Sequence, residues 1–335
     1  MMPDKILDIH RLIVDFHTDD GVVHAVRGVT YALGRGESIG IVGESGSGKS
    51  VTHLALMGLL PDSAKIRTDA TRFGGRNLFE LPPKDLRKLR GREIAMIFQD
   101  PMTALNPYLT LGTQIAEMFR LHHGLRGGAL DEATIRALAQ VGIPKPELRV
   151  EQYPHEFSGG MRQRAMIAMM LAAKPSVLIA DEPTTALDVT VQAQILRLLK
   201  RLQKEQRMSI VLITHDLAVV AGFTDRVLVM YAGRIVERAR TADLFSNPLH
   251  PYTKGLLASI PRLDRDDADL EQIHGQPPDL SNIPHGCPFL ERCSYAEPRC
   301  ETSDPELMHR MEEHHVACHV VVSNLQGTAP REGGA

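Results

Sequence analysis

The chain has 335 residues, 43% of them hydrophobic, and a net charge of -3 with histidine neutral, which suits one large globular domain with a smaller appendage. This balance shows none of the basic excess that marks most nucleic-acid-binding proteins, so no nucleic-acid partner is expected. The N-terminus lacks the pattern of a secretory signal, and no stretch approaches the ~20 apolar residues that cross a bilayer, so a membrane role would come through partners.

The first 60 residues predict strands, then a glycine-rich loop, then a helix. Apolar runs at 12–16 and 38–42 indicate strands within the region 5–41, and apolar residues with helical spacing follow over 51–60. The segment between the second strand and the helix fits the pattern of a phosphate-binding loop. The residues that we expect to bind nucleotide there are Gly43, Glu44, Ser45, Gly46, Ser47, Gly48, Lys49, Ser50 and Val51.

This glycine loop has the chemistry of an ATP site. Glycines let the backbone approach a phosphate without a Cβ clash, and the N–H groups at a helix start attract anions. In this pattern Lys49 neutralises the β- and γ-phosphates and Ser50 offers its hydroxyl to Mg2+. A chance match is disfavoured because the loop lies between a predicted strand and a predicted helix.

A helical region follows the first strands. A short strand is predicted over 94–98 and helices over about 100–173. Within that region Ser158 is a good helix N-cap, and Gly159 and Gly160 leave backbone donors open at a helix N-terminus. A lone Ser-Gly-Gly is also explained by an ordinary helix cap, so the motif by itself leaves both interpretations open.

Two acids end the next buried strand. The strand is predicted over 177–180, and Asp181 and Glu182 follow it. Adjacent side chains of a strand point in different directions, so we predict that Asp181 binds Mg2+ and that Glu182 polarises the attacking water. Acids exposed at a strand end are the alternative, but phosphoryl transfer needs both parts, and the glycine loop upstream supplies the other one.

The remaining elements continue the alternation of strand and helix. A helix is predicted over 191–207 and strands over 210–214 and 227–231, which indicates a mostly parallel sheet with helices on both faces. The composition then becomes acidic and polar. We therefore predict an ATP-binding domain over 5–262 and a C-terminal extension over 263–335.

All four cysteines lie in that extension, at Cys287, Cys293, Cys300 and Cys318. Their spacing differs from the paired C-x2-C of common zinc sites. Four thiolates suit zinc or an iron–sulfur cluster, and free or disulfide-bonded thiols stay open. The histidines near enough in sequence to replace a cysteine ligand are His285, His314, His315 and His319.

Taken in order and rough spacing, these motifs resemble the ABC-type ATPases over residues 5–240. The residues that carry the resemblance are the glycine loop, Gln99, the LSGGQ-like segment 157–161, Asp181, Glu182, Ala186, Leu187, Asp188 and His215. The resemblance implies an α/β fold: a P-loop NTPase (RecA-like) core with an antiparallel β subdomain, a helical ABC-specific insertion over about 100–173 and a small cysteine-containing C-terminal extension.

The resemblance also implies roles for residues that the motifs alone do not explain. Glu182, His215 and Lys49 would be catalytic, with His215 holding the γ-phosphate and supporting Glu182. Gln99 would touch Mg2+, which Ser50 and Asp181 bind, and would sense the membrane subunits.

Other implied roles concern a second subunit and the adenine. Ser158, Gly159 and Gly160 would cap ATP held by a partner, and Asp188 would lie at the seam of that dimer. Phe16 would stack on adenine, with a place in the core of its strand as the alternative.

Further segments are similar to the bacterial oligopeptide and dipeptide importers, in particular their dipeptide branch. They are 99–107, 153–155, 250–253 and the cysteine tail. This similarity implies a heterodimer with a second ABC ATPase beneath two integral membrane permease subunits, fed by an extracytoplasmic peptide-binding protein. The chain would be peripheral, at the cytoplasmic face of the bacterial inner membrane, and the cysteines would hold a [4Fe–4S] cluster.

Three alternatives remain for the function. Nickel importers share much of this sequence. A soluble ABC ATPase of DNA repair would carry a long coiled coil, and a ribosomal one would usually carry two ATPase halves in one chain; neither pattern is found in these residues. A kinase-like P-loop transferase would leave the segment 158–160 and His215 unexplained.

Overall fold

The computed structural model describes residues 4–185, 187–260, 273–311 and 313–321. Within those ranges no helix has the length and apolar character needed to span a membrane. The strands are β1 (Lys5–Thr18), β2 (Gly21–Gly34), β3 (Ser38–Val42), β4 (Ala64–Arg67), β5 (Ala70–Phe73), β6 (Arg76–Asn77), β7 (Ile94–Ile97), β8 (Val177–Asp181), β9 (Ser209–Thr214), β10 (Arg226–Tyr231), β11 (Arg234–Arg240), β12 (Met308–Met311) and β13 (His314–Val316). The helices are α1 (Lys49–Leu56), α2 (Pro83–Leu89), α3 (Pro101–Ala104), α4 (Leu111–His123), α5 (Gly128–Gln140), α6 (Pro146–Arg149), α7 (Gly159–Leu171), α8 (Val189–Gln206), α9 (Leu217–Ala221), α10 (Thr241–Ser246), α11 (Pro251–Ala258) and α12 (Arg299–Thr302).

The central sheet has eight strands in the order β12-β13-β11-β10-β3-β9-β8-β7. The pairs from β10 to β7 are parallel, while β11, β13 and β12 add antiparallel strands at one edge. The inner strands β3, β8 and β9 are buried along their whole length, as expected when helices cover both faces of a parallel sheet. The α/β prediction is confirmed.

A second, antiparallel sheet carries the N-terminal strands. Its order is β2-β1-β5-β6, with β4 also paired to β1. Alternate side chains of β1 and β2, such as Ile9 and Leu33, join Ile41 of β3 and Leu56 of α1 in one apolar core. This packing fixes the glycine loop, which connects β3 to α1, between the two sheets.

The helical insertion lies between β7 and β8, where the sequence predicted it. Helices α3 to α7 occupy it, and apolar residues such as Ile115, Leu138 and Met166 pack against β7 and β8 in a second core. Helix α4 ends at Gly124, whose φ of 67° is the left-handed conformation that glycine adopts at no steric cost.

The C-terminal extension continues the central sheet. Strand β13 pairs with β11 through Glu237 and Arg238, and Phe289 packs edge-on against Tyr231 of β10 with ring centroids 5.3 Å apart. The extension therefore shares a core with the ATP-binding domain. The predicted domain boundary at 262/263 lies outside the described residues and stays a prediction.

Candidate functional site

The sequence motifs meet at one edge of the central sheet. Gly43 follows β3, Asp181 ends β8, His215 follows β9, and Gln99 comes two residues after β7. Because these strands are parallel, their carboxyl ends lie on the same side of the sheet, where α/β proteins bind their ligands.

The glycine loop takes a backbone path that requires glycine at two positions. Gly43 has a φ of 155° and Gly48 a φ of 95°. A Cβ atom would lie 2.2 Å from the carbonyl oxygen of Met230 at Gly43, and 2.4 Å from that of Ala25 at Gly48. The tip of the loop at Ser45 and Gly46 is exposed. The loop is therefore fixed at its base and open at its tip.

Lys49 is the first residue of α1 and is buried, with 6% of its surface exposed. Its Nζ donates to the carbonyl oxygens of Gly43 at 2.7 Å and Glu44 at 2.8 Å. Burial lowers the pKa of Lys49, and the nearby carboxylates of Glu182 and Asp181 oppose that shift. The loop thus holds an ammonium group at its own base.

Ser50 and Asp181 form a pair of oxygen donors. The Ser50 hydroxyl donates to Asp181 Oδ1 at 3.0 Å. Burial raises the pKa of Asp181, the hydrogen bond from Ser50 lowers it, and the charge of Glu182 raises it again. Hydroxyl and carboxylate oxygens are the protein ligands that Mg2+ prefers, so these two residues fit a magnesium ion.

Glu182 is held by three side chains. Its Oε1 lies 3.2 Å from His215 Nδ1, and its Oε2 accepts from Gln99 Nε2 at 3.1 Å and from Thr185 Oγ1 at 2.8 Å. Its φ of 44° lies in the left-handed region, which costs a non-glycine residue about 1–3 kcal/mol and is concentrated at functional sites. The arrangement orients one carboxylate beside the loop, as a general base requires.

Thr185 is the contact of Glu182 that sequence reasoning missed. Its N–H donates to the carbonyl oxygen of Glu182 at 3.2 Å, so the two residues close a turn after β8. A hydroxyl three residues after an acid is the only signal in the sequence, and such pairs are common in turns of many kinds.

The signature segment lies at the N-terminus of α7. Ser158 caps the helix, with its Oγ accepting from the Met161 N–H at 3.4 Å. A Cβ atom on Gly160 would come within 2.8 Å of Val191, and one on Gly159 within 3.7 Å of Leu187. The signature therefore packs against the segment that begins α8.

Asp188 caps α8, with its Oδ1 accepting from the Val191 N–H at 2.9 Å. Two capped helix N-termini thus lie side by side, and the carboxylate of Asp188 already interacts with the dipole of the second. Ala186 of the same segment lies outside the described residues.

Phe16 lies in β1, where it pairs with Val23 of β2 and Ala64 of β4. The side chain is half-buried and packs against the core shared by the two sheets. This position suits the core interpretation, so adenine stacking stays a prediction.

The cysteines form a loose group in the extension. All four are free, with Cys300 and Cys318 buried, and the Cys287 N–H donates to the Cys300 carbonyl oxygen at 2.7 Å. Burial, together with the nearby Cys300, Asp304 and Cys318, raises the pKa of Cys287 to about 12, against a backbone hydrogen bond at Phe289 that lowers it. Across the described ranges, no three cysteine, histidine or acidic side chains converge closely enough to hold a metal ion. The structure gives the predicted cluster no support.

Family models match most of the chain in two pieces. A model described as "ABC transporter" matches residues 26–185. A model described as "Oligopeptide/dipeptide transporter, C-terminal region" matches residues 236–300.

Curated relatives match nearly the whole chain. The oligopeptide transport ATP-binding protein OppD of Salmonella typhimurium is 52% identical over 90% of this chain and 89% of its own. The dipeptide transport ATP-binding protein DppD of Bacillus subtilis is 52% identical over 94% of each chain.

Solved structures share the fold. CbiO1 from Clostridium perfringens, part of the ABC transporter complex CbiONQ, is 30% identical with a TM-score of 0.62 over 73% of this chain and 92% of its own. The dimeric structure of MJ0796, a bacterial ABC transporter cassette, is 26% identical with a TM-score of 0.61 over 70% of this chain and 98% of its own. The chain is an ABC-type ATPase and belongs to the family of oligopeptide and dipeptide transport ATP-binding proteins.

Proposed function

We propose that this chain hydrolyses ATP to power the import of dipeptides or short oligopeptides. The relatives at 52% identity are named for oligopeptide and dipeptide transport, and the matched C-terminal model is named for the same transporters. Peptides are therefore preferred to nickel as the cargo. The same relatives disfavour a ribosomal or DNA-repair role.

The observation that carries the proposal is the fixed carboxylate of Glu182. It would orient the attacking water, with His215 supporting it and contacting the γ-phosphate. Lys49 would neutralise the phosphates from the base of the glycine loop. Ser50 and Asp181 would bind Mg2+, which balances charge on the β- and γ-phosphates when it is bound, and Gln99 would touch the same ion.

The site is proposed to be completed by a second ABC ATPase subunit. The N-terminus of α7, with Ser158, Gly159 and Gly160, would cap ATP held by the partner, and Asp188 would lie at the seam. Open backbone donors at a helix start suit a γ-phosphate, and the structure of MJ0796 is described as dimeric.

Two permease subunits and a peptide-binding protein would complete the importer, with this chain peripheral at the cytoplasmic face of the bacterial inner membrane. The segment after Gln99 supports this arrangement because it exposes large apolar side chains. Tyr108 is 87% exposed and Met102 is 42% exposed. Exposed apolar groups of this kind commonly mark a surface that a partner covers.

Reconstitution tests the proposal directly. The chain is assembled with its permeases and second ATPase in liposomes, and ATP hydrolysis is measured with the peptide-loaded binding protein. We expect peptide to stimulate hydrolysis, and Ser158→Arg to abolish the stimulation while MgATP still binds to the isolated chain. Stimulation by nickel without peptide would contradict the cargo, and full stimulation of the Ser158→Arg variant would contradict the capping.

We also propose that the extension, which we assign to 263–335, holds a [4Fe–4S] cluster on its four cysteines. The support is the number and type of ligands and the family resemblance, and not the geometry, since no three such side chains of the described residues converge on a metal ion. Purification without oxygen should give a brown protein with about four irons per chain. A colourless protein with one zinc, or with free thiols and no metal, would overturn the assignment.

A further inference from the structure

A residue of the C-terminal extension reaches the glycine loop. Arg292 binds the carboxylate of Glu44 with both ends of its guanidinium: Nη1 donates to Oε2 at 2.8 Å and Nη2 donates to Oε1 at 2.9 Å. The Arg292 side chain is only 5% exposed and that of Glu44 is 27% exposed. A bidentate, largely buried pair of this kind is among the stronger and more directional polar contacts in proteins.

The backbone of the same loop residue is also held. The Glu44 N–H donates to the hydroxyl of Tyr252 at 2.8 Å. Tyr252 belongs to α11, is fully buried, and packs against Tyr231 with ring centroids 4.6 Å apart. Glu44 is therefore fixed at its N–H and at its carboxylate by two residues from the C-terminal side of the chain.

Arg292 is itself rigidly placed. Its Nε donates to the carbonyl oxygen of His274 at 3.1 Å. Its guanidinium lies over the rings of Tyr231 and Phe289, 5.8 Å and 5.9 Å from their centroids, which are favourable cation–π distances. A side chain held this way presents its charge to Glu44 in one orientation.

Glu44 is also one of the residues that hold the lysine of the loop. The carbonyl oxygen of Glu44 accepts from Lys49 Nζ at 2.8 Å and from the Ser47 N–H at 3.3 Å. A loop that is already ordered loses less conformational entropy on binding a ligand. The carboxylate of Glu44 also places a negative charge beside the proposed site for the triphosphate. This charge would repel the phosphates, and the positive charge of Arg292 cancels the repulsion.

We infer that Arg292 is a positioning residue for ATP: it fixes and neutralises Glu44, so that the C-terminal extension sets the affinity of the glycine loop for the triphosphate. This inference rests on the proposed ATP site and is independent of which solute is transported. The extension thereby acts on nucleotide binding in addition to any role as an attached structural unit.

The test is a double-mutant cycle on the full chain, with Arg292→Gln, Glu44→Gln and the double variant. MgATP affinity is measured on the purified chain, and the ATPase KM and kcat on the reconstituted transporter. We expect Arg292→Gln to raise KM about tenfold while kcat falls less than about twofold, since positioning acts on binding. In the double variant KM should fall part of the way back toward the original, since no unpaired carboxylate then faces the phosphates but the loop still lacks the contact that fixes it.

Glu313→Gln is the matched control, because Glu313 pairs with Arg240 at 2.9 Å and thus also ties the extension to the core. Its KM should stay within about twofold of the original. An equal rise in KM for Glu313→Gln and Arg292→Gln, or no rise in either, would overturn the inference. A double variant whose KM is as high as that of Arg292→Gln would also overturn it.

A second variant covers the case in which Arg292→Gln does not fold. Arg292→Lys keeps the charge but loses the two-point geometry, so we expect it to raise KM by about threefold. A KM equal to the original would overturn the positioning argument. Failure of peptide to stimulate the transporter, with these KM shifts intact, would reject the cargo and leave the inference standing.

Discussion

The ATP edge of the sheet and the C-terminal extension differ in how far their contacts can be recognised in the sequence. At the edge, Lys49 binds the carbonyl oxygen of Gly43, six residues away. In the extension, His314 binds Glu237 from 77 residues away and Arg292 binds Glu44 from 248 residues away. The edge also has distant contacts, such as that of Ser50 with Asp181 across 131 residues, but both partners belong to recognisable motifs, whereas Arg292 and His314 belong to none.

The two regions also use charge differently. Glu182 at the edge keeps 16% of its side chain exposed and has a strained backbone, whereas Glu237 is fully buried and accepts from His314 Nε2 at 2.7 Å. The partly exposed carboxylate of Glu182 suits a catalytic role, and the buried carboxylate of Glu237 suits a structural role that attaches the extension to the sheet. Substitutions at the edge should therefore change catalysis with little change in stability, and substitutions of Glu237 should do the opposite.

The largest effect is expected for Glu182→Gln. The amide keeps the shape of the carboxylate but cannot accept a proton from water, so kcat should fall about 1,000-fold, within the range for loss of a general base. MgATP should still bind and should stabilise the dimer. ATPase assays and size-exclusion chromatography of the assembled subunits measure both results.

Glu93→Gln is the control for that variant, since Glu93 pairs with Arg76 at the protein surface, away from the ATP edge. Its kcat should match that of the unmodified chain. ATP hydrolysis at the full rate in Glu182→Gln would show that Glu182 is not the general base. It would also contradict the assignment of catalysis to the ATP edge and of stability to the extension.

Much of the fold could be predicted because the relevant signals are local. The strand predicted over 38–42 is β3 to the residue, and β7 to β10 lie within one residue of prediction at each end. The helix predicted over 51–60 is different: α1 ends at Leu56, and Gly58 turns the chain with a φ of 57°. Apolar spacing continues past that turn, so periodicity alone extends the helix too far.

The extension could not be predicted in the same way. The short strands β12 and β13 have the sequences Met-His-Arg-Met and His-His-Val, which show no alternation of polar and apolar residues. They form because β13 pairs with β11. Likewise, Tyr252 and Arg292 carry no pattern that points to the glycine loop. Tertiary pairing creates both features, and a single sequence does not record it.

For Glu237→Gln we expect an effect of intermediate size, on the free energy of unfolding. Burial by itself raises the pKa of Glu237, but hydrogen bonds from His314 and from the N–H groups of Leu249 and His250 outweigh it and lower the pKa. Replacing one of the two buried acceptor oxygens by an NH2 donor, with loss of the charge, should cost about 3 kcal/mol of the free energy of unfolding. Denaturant unfolding measures the loss, and MgATP affinity should change little.

The lowered pKa of Glu237 also predicts how the stability difference between the original chain and Glu237→Gln changes with pH. Because the folded chain lowers the pKa of Glu237, its contribution is present above the unfolded value of about 4.3 and is lost as the pH falls through the folded value. The stability difference between the original chain and Glu237→Gln should therefore be constant near neutral pH and shrink in acid. A difference that grows in acid would show that the carboxylate is not the group that attaches the extension.

The smallest effect is expected for Glu313→Gln, which breaks a solvent-exposed ion pair between the extension and β11. Glu313 and Arg240 keep 57% and 56% of their side chains exposed. Solvent screens such a pair, so it should contribute less than about 0.5 kcal/mol, and less still in high salt. The same unfolding experiment measures it. A loss as large as that of Glu237→Gln would mean that burial does not decide which contacts attach the extension. Two pairs that join β11 to the extension would then contribute equally, although one is exposed to water and the other is buried in the core.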